Sequence, residues 1–170
     1  APSVRTKKPN SGGNAAESMC PEAGPELEAI LKTLDPADLE SLKQGLHRIG
    51  QLGDAGKEAA PLLKAMLQHQ DAFVRTHAVL AMARLDLLTP EASDVLTETL
   101  KSRDATLRSF GISVLAEMGP PANDVLSKLS KSLNDRDGQI RIRAAEVLIQ
   151  YEDWAQRSLK TLLSCLKDSD

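Results

Sequence analysis

Aromatic residues are scarce in this chain of 170 residues, at 2% of the sequence. The four of them are Phe73, Phe110, Tyr151 and Trp154. Because β-strands favour aromatic and β-branched side chains, this scarcity argues against a sheet-built core. Apolar residues still make up 41% of the chain, so a core of Leu, Ile, Val, Ala and Met is available. The composition therefore favours an all-α fold with closely packed helices.

Cysteines and long apolar runs are also few. Cys20 and Cys165 lie near opposite ends of the sequence, and neither belongs to a CxxC motif or a Cys/His cluster. The sequence therefore predicts no metal site, no redox motif and no cofactor, and leaves open whether the two thiols pair. No apolar run approaches the roughly 20 residues that a membrane-spanning helix needs, so no membrane span is expected.

The chain carries no excess of positive charge, since its net charge is −3. A protein that binds nucleic acid through a broad surface is normally basic there, so a nucleic-acid partner is not expected. Localisation stays open. An Ala at position 1 fits a processed N-terminus, which would imply a periplasmic or secreted protein. It fits equally well a cytoplasmic protein of which this chain is a piece.

The first 24 residues are rich in Pro, Gly, Ser, Asn and Ala and contain almost no large aliphatic side chain. Such a segment buries too little apolar surface to offset the entropy lost on ordering. We predict that residues 1–24 form a flexible tail, and that residues 25–170 form the folded domain.

A motif of the form Asp-x-x-aliphatic-Arg recurs three times at intervals of 33 residues. Its fixed residues are Asp71 and Arg75, Asp104 and Arg108, and Asp137 and Arg141. The same interval relates a column of aliphatic residues, which are Ile30, Leu63, Leu96, Leu129 and Leu162. It also relates the column Leu34, Leu67, Leu100, Leu133 and Leu166. Repetition at this period indicates a stacked array of units.

Each unit reads as two helices. Leu63 and Leu67 stand four residues apart, at the spacing of one apolar stripe on a first helix. The motif Asp then precedes a second apolar run, where its carboxylate can cap the free amides of the first turn. Breaks at Gly and Pro residues place the units at about 25–53, 54–87, 88–120 and 121–153, followed by a capping helix at 154–170. The alternative is that the chain is a fragment of a longer solenoid, because Asp170 stands where a further second helix would begin.

The motif and its period resemble HEAT repeats, in particular the compact HEAT-like repeats of the phycobilin lyase type. The first unit departs from the pattern, because Leu42 stands where the Arg belongs. The resemblance implies a right-handed α-α superhelix of about four two-helix repeats. It also implies that Arg75, Arg108 and Arg141 are structural and reach an Asp or a carbonyl of an adjacent unit. A ladder of these Arg side chains that binds an acidic ligand is the alternative.

No catalytic motif is present. None of the three histidines is followed by Glu, which disfavours the HEAT-like iron hydroxylases, whose ligands are His-Glu pairs. HExxH, GxSxG and P-loop patterns are absent as well. HEAT-like DNA glycosylases use strongly basic faces and aromatic residues, whereas this chain is acidic overall and poor in aromatic residues. We therefore expect a protein without enzymatic activity.

The second helices of such an array line its inner face. With Val79, Ile112 and Ala145 buried, the 3.6-residue period predicts which side chains lie on that face. The candidate partner-binding residues are Phe73, His77, Leu80, Phe110, Ile142 and Arg143. An apolar strip with a polar rim fits a groove for a protein or peptide. Two other hypotheses stay open, namely a lyase- or chaperone-like action on a cofactor or its carrier protein, and an accessory domain of a larger enzyme complex.

Overall fold

The computed structural model describes residues 15–118 and 123–167, which form ten α-helices and, within those ranges, no β-strand. The first five helices are α1 (Ala15–Met19), α2 (Pro25–Leu31), α3 (Leu39–Gly50), α4 (Ala60–Met66) and α5 (Ala72–Arg84). The next five are α6 (Pro90–Leu100), α7 (Ala105–Glu117), α8 (Asn123–Leu129), α9 (Gly138–Leu148) and α10 (Glu152–Lys167). A 3-10 segment precedes α4 at Gly53–Ala59, and another follows α8 at Ser130–Asn134.

These helices form pairs that stack in chain order. The pairs are α2 with α3, α4 with α5, α6 with α7, and α8 with α9, and α10 packs on α9. The second helices contact one another in the order α3, α5, α7, α9. The predicted all-α solenoid is thereby confirmed.

An Asp caps the start of every second helix, as the motif predicts. The Asp71 carboxylate accepts a hydrogen bond of 2.9 Å from the Val74 amide. Asp38, Asp104 and Asp137 make the equivalent bonds in the other units. Each cap satisfies an amide that the helix leaves free, and is worth about 1 kcal/mol. The second helix of each of the four units therefore begins with the same Asp N-cap, even in the first unit, which lacks the motif Arg.

The aliphatic columns form the core. Ile30, Leu63, Leu96 and Leu129 are all 3% exposed or less. A further column at the same interval holds small buried residues on the second helices, which are Gly45, Ala78, Gly111 and Ala144. A Cβ atom at Gly111 would lie 2.7 Å from Cγ2 of Thr99. The small side chains thus let the two helices of a unit approach closely.

The structure differs from the predicted tail over its last ten residues. Residues 15–19 form the short helix α1, and Ala16 and Cys20 are 7% and 4% exposed. The Gly24 amide donates a hydrogen bond of 2.8 Å to Glu58 of the second unit. The few apolar residues of this segment are enough to pack it against the first unit. Residues 1–14 lie outside the described part of the chain.

Candidate protein-binding face

The motif Arg side chains bind first within their own unit. In each case Nη1 donates to two carbonyls of the loop that joins the two helices. The carbonyls belong to His69 and Gln70 for Arg75, to Ser102 and Arg103 for Arg108, and to Asp135 and Arg136 for Arg141. A guanidinium has five N–H donors, so one Arg side chain on a helix can hydrogen-bond to several carbonyls of the loop that precedes that helix. The predicted contact with a neighbouring unit is therefore a second role, seen at Arg108.

Arg108 joins the third unit to the fourth through a bidentate salt bridge with Asp135. Nε and Nη2 of Arg108 each donate to one carboxylate oxygen of Asp135, both at 2.8 Å. The side chains are 4% and 11% exposed. Burial disfavours the charged form of Asp135, but hydrogen bonds from Arg108 and from the Asp137 amide outweigh it and lower the pKa of the carboxyl. The Asp135 hydrogen bond also raises the pKa of Arg108, so both groups are charged.

Stability is expected to depend on pH through Asp135. Because its pKa in the folded chain is below the ordinary 3.8, the ionised carboxylate stabilises the fold above that value and ceases to do so as pH falls through the folded pKa. The difference in unfolding free energy between the native chain and Asp135→Asn should be constant from neutral pH down to about pH 5, and should shrink below about pH 4. Urea unfolding at several pH values measures it. A difference that grows on acidification would contradict the pairing.

Three rings gather on the inner face of the second and third units. His77 lies against Phe110, with ring centroids 4.5 Å apart, and Phe73 stacks on Phe110 at 6.4 Å. All three side chains are half-buried. We call Phe73, His77 and Phe110 the aromatic cluster. His77 and Phe110 stand 33 residues apart in the sequence, so they occupy the same position on neighbouring second helices.

Phe73 and His77 of the aromatic cluster form one wall of an open depression of about 520 Å³. Its other wall is α3, which contributes Lys43 and His47. The Lys43 ammonium lies 5.6 Å from the centre of the Phe73 ring, within the range of a cation–π contact. An apolar floor beside cationic and polar side chains is the mixture from which protein-binding sites are built.

His77 is neutral near physiological pH. Burial lowers its pKa, and Lys43 and His47 act in the same direction. Since the Phe73 carbonyl can only accept, the bond of 2.8 Å between them means that Nδ1 of His77 carries the proton. Its ring therefore extends the apolar surface of Phe110 and adds no charge.

The other predicted face residues are distributed unevenly. Leu80 is only 4% exposed, which corrects the prediction that it serves as an exposed anchor. Ile142 is half-buried and Arg143 exposed, both on α9. Arg143 stands one repeat beyond Phe110, so it extends the row that begins at His77 with a charged side chain. The apolar part of the face is thus shorter than predicted and centres on the aromatic cluster.

Sequence reasoning missed a polar network that links three second helices at the far end of this face. Arg84 donates to the Glu117 carboxylate from Nε at 2.9 Å and from Nη2 at 2.5 Å. Its Nη1 lies 3.1 Å from Nδ1 of His47, which must accept that bond. The signal was available in the sequence, because Arg84 and Glu117 have opposite charges and stand 33 residues apart.

Comparison with known proteins decides the family. A family profile described as HEAT repeats matches residues 25–109, half of the chain. The chain belongs to the HEAT-repeat family. No curated protein and no solved structure matches it. HEAT repeats generally mediate protein–protein interaction.

Within residues 15–118 and 123–167, no group of three or more His, Cys, Asp or Glu side chains is placed to hold a metal ion. None of the helices described is long and apolar enough to cross a membrane.

Proposed function

We propose that this HEAT-repeat chain is a non-catalytic binding module that holds a segment of another protein against its inner face, with the aromatic cluster as the main contact. The observation that carries the proposal is the meeting of Phe73, His77 and Phe110 from two helices beside an open depression. Aromatic side chains supply a large share of the binding energy in protein interfaces.

The shape of the depression also favours a polypeptide segment over a small molecule. It is bounded by α3 and α5, two helices of adjacent units, and is open to solvent. Small-molecule sites are usually concave enough to bury most of the ligand. Around the rings lie side chains that donate and accept hydrogen bonds, among them Gln44 and Arg48, and these can pair with the backbone of a bound segment.

The test is a paired binding measurement. A partner captured from cell extract by the native chain is purified, and its dissociation constant is measured for the native chain and for Phe73→Ala/Phe110→Ser. We expect the variant to bind at least about 30-fold more weakly. Truncating a hot-spot residue of an interface typically lowers the binding free energy by about 2 kcal/mol or more.

A matched control is Leu88→Ser, which removes an exposed apolar side chain from the loop between α5 and α6, off the inner face. Circular dichroism first establishes that all three chains are equally helical. Equal affinity of the native chain and the double variant would overturn the assignment of the inner face. A partner that is turned over chemically by the chain would overturn the non-catalytic role.

A further inference from the structure

A cleft of about 270 Å³ lies between the first helices of the third and fourth units, apart from the depression beside the aromatic cluster. Three of the side chains that line it are lysines. Lys101 ends α6, Lys128 lies on α8, and Lys131 lies in the 3-10 segment that follows α8. We call this the lysine cleft. It concentrates positive charge in a chain whose net charge is −3.

The carboxylate of Asp135 also lines the lysine cleft but does not cancel its charge. This carboxylate accepts hydrogen bonds from Nε and Nη2 of Arg108 and from the Asp137 amide. Arg108 therefore balances Asp135, and the charge of the lysines remains. Among the residues described, neither Lys101 nor Lys131 forms an ion pair. The cleft thus holds positive charge that the described part of the chain leaves without a counter-charge.

The repeat itself does not require these lysines. One repeat earlier, the cleft between α4 and α6 has Gln68, Val95 and Glu98 at their places. Lys128 departs furthest from the pattern, because its counterparts Leu62 and Val95 are 3% and 8% exposed, whereas Lys128 is half-buried. Removing an ammonium group from water costs free energy. Such a departure from the local pattern is expected where a residue serves binding more than folding.

The Ser132 hydroxyl gives a second and independent indication. Ser132 is 6% exposed and lines the lysine cleft. Its hydroxyl has no hydrogen-bond partner among the residues described, whereas the Thr99 hydroxyl, one repeat earlier, donates to the Val95 carbonyl at 2.9 Å. Every fully enclosed polar side-chain atom described has a partner, so the Ser132 hydroxyl must face the open space of the cleft. A buried hydroxyl of this kind is available to a ligand.

We infer that the lysine cleft binds a phosphate group, held by Lys101, Lys128, Lys131 and the Ser132 hydroxyl. A phosphate group that is attached at one oxygen carries about two negative charges and three strong acceptor oxygens, which matches this set of donors. A single carboxylate carries one charge and two oxygens and would leave donors of the cleft unused. Lysine binds phosphate as a point charge, without the fixed geometry of arginine.

The size of the lysine cleft limits what it takes in. At about 270 Å³ it is smaller than most sites for whole small molecules, so it encloses the phosphate group and little of what carries that group. The carrier is either a small phosphate compound or a phosphorylated side chain of another protein. This inference does not depend on the proposed function, because no residue of the aromatic cluster lines the cleft.

The experiment is isothermal titration calorimetry of the whole chain with inorganic pyrophosphate in about 150 mM salt, which screens exposed charges. The native chain should bind with a dissociation constant below about 1 mM, and Lys101→Gln/Lys131→Gln should bind at least about 10-fold more weakly. The matched control is Lys64→Gln/Lys160→Gln, which removes the same charge at exposed lysines outside the cleft and should bind like the native chain.

Ser132→Ala separates a binding role from a structural one. Because the hydroxyl has no partner among the residues described, its loss should leave the melting temperature of the chain unchanged or slightly higher. The affinity for pyrophosphate should fall about 5-fold, the value of one ordinary hydrogen bond. A lower melting temperature with unchanged affinity would show that Ser132 supports the fold and would remove it from the site.

A short neutral peptide with one phosphoserine, titrated in the same way, distinguishes the two carriers. Tighter binding of the peptide than of pyrophosphate indicates a phosphorylated partner protein, and the reverse indicates a small phosphate compound. Glutarate, a dicarboxylate, should bind more weakly than both probes. Three results would overturn the inference: no saturable binding of either phosphate probe, binding of glutarate as tight as theirs, or equal affinity of the native chain and Lys101→Gln/Lys131→Gln.

Discussion

Replacing Arg108 by Ala is expected to lower the free energy of unfolding by about 3–5 kcal/mol. The substitution leaves the Asp135 carboxylate, which is 11% exposed, without the guanidinium that keeps it ionised. It also removes the donor to the carbonyls of Ser102 and Arg103. Chemical unfolding followed by circular dichroism measures the loss.

Arg75→Ala is the matched control, because Arg75 makes the same two loop bonds. Arg75 stands one repeat before Arg108, and the residue one repeat before Asp135 is Ser102, which carries no charge. We expect Arg75→Ala to cost about 1–2 kcal/mol, the value of ordinary hydrogen bonds. The double variant Arg108→Leu/Asp135→Ala should be more stable than Arg108→Ala alone, since no charge is then left buried. Equal losses for Arg75→Ala and Arg108→Ala would show that the ion pair contributes nothing of its own.

Leu96→Ala is expected to destabilise the chain by about 2–5 kcal/mol, through lost burial and the cavity that remains. Leu96 is 2% exposed in the third unit, with neighbours on both sides of the array. Leu162 occupies the same column in α10 but is only partly buried. Leu162→Ala should therefore cost less, and the same unfolding experiment compares the two.

The comparison also tests how the array holds together. In a stack of repeats, each unit is stabilised by its own core and by its interfaces with the units on either side. A cavity in the third unit weakens both of its interfaces, whereas a cavity at α10 affects the end of the stack. A larger loss for Leu162→Ala than for Leu96→Ala would mean that α10 governs stability.

Much of the fold could be predicted from the sequence because the same pattern of residues recurs in several units. The Asp caps and the column Ile30, Leu63, Leu96 and Leu129 each follow from a local rule that acts in every unit. The contact between His77 and Phe110 follows from the same period, since residues one repeat apart lie side by side on neighbouring second helices. The family match agrees with these predictions.

The burial of Leu80 could not be predicted in this way. Its counterparts in the other units are polar, namely His47, Ser113 and Glu146, so the repeat suggested an exposed position. Yet α5 packs against α3, α4, α6 and α7, and such a helix is covered over most of its circumference. Thr76 shows the same effect, because it is fully buried and its hydroxyl lies 2.9 Å from that of Thr99. The number of helices that surround a given helix depends on the whole stack, so it cannot be read from the pattern within one repeat.

The polar bonds between units lie on different edges of the solenoid. His47, Arg84 and Glu117 join the first three units along the inner edge. Arg108 with Asp135, and Arg136 with the Arg103 carbonyl at 2.7 Å, join the third and fourth at the loops between their helices. As an elastic body, the solenoid is therefore anisotropic. Opening its arc stretches the inner bonds between the first three units, whereas twisting the fourth unit against the third stretches the loop bonds.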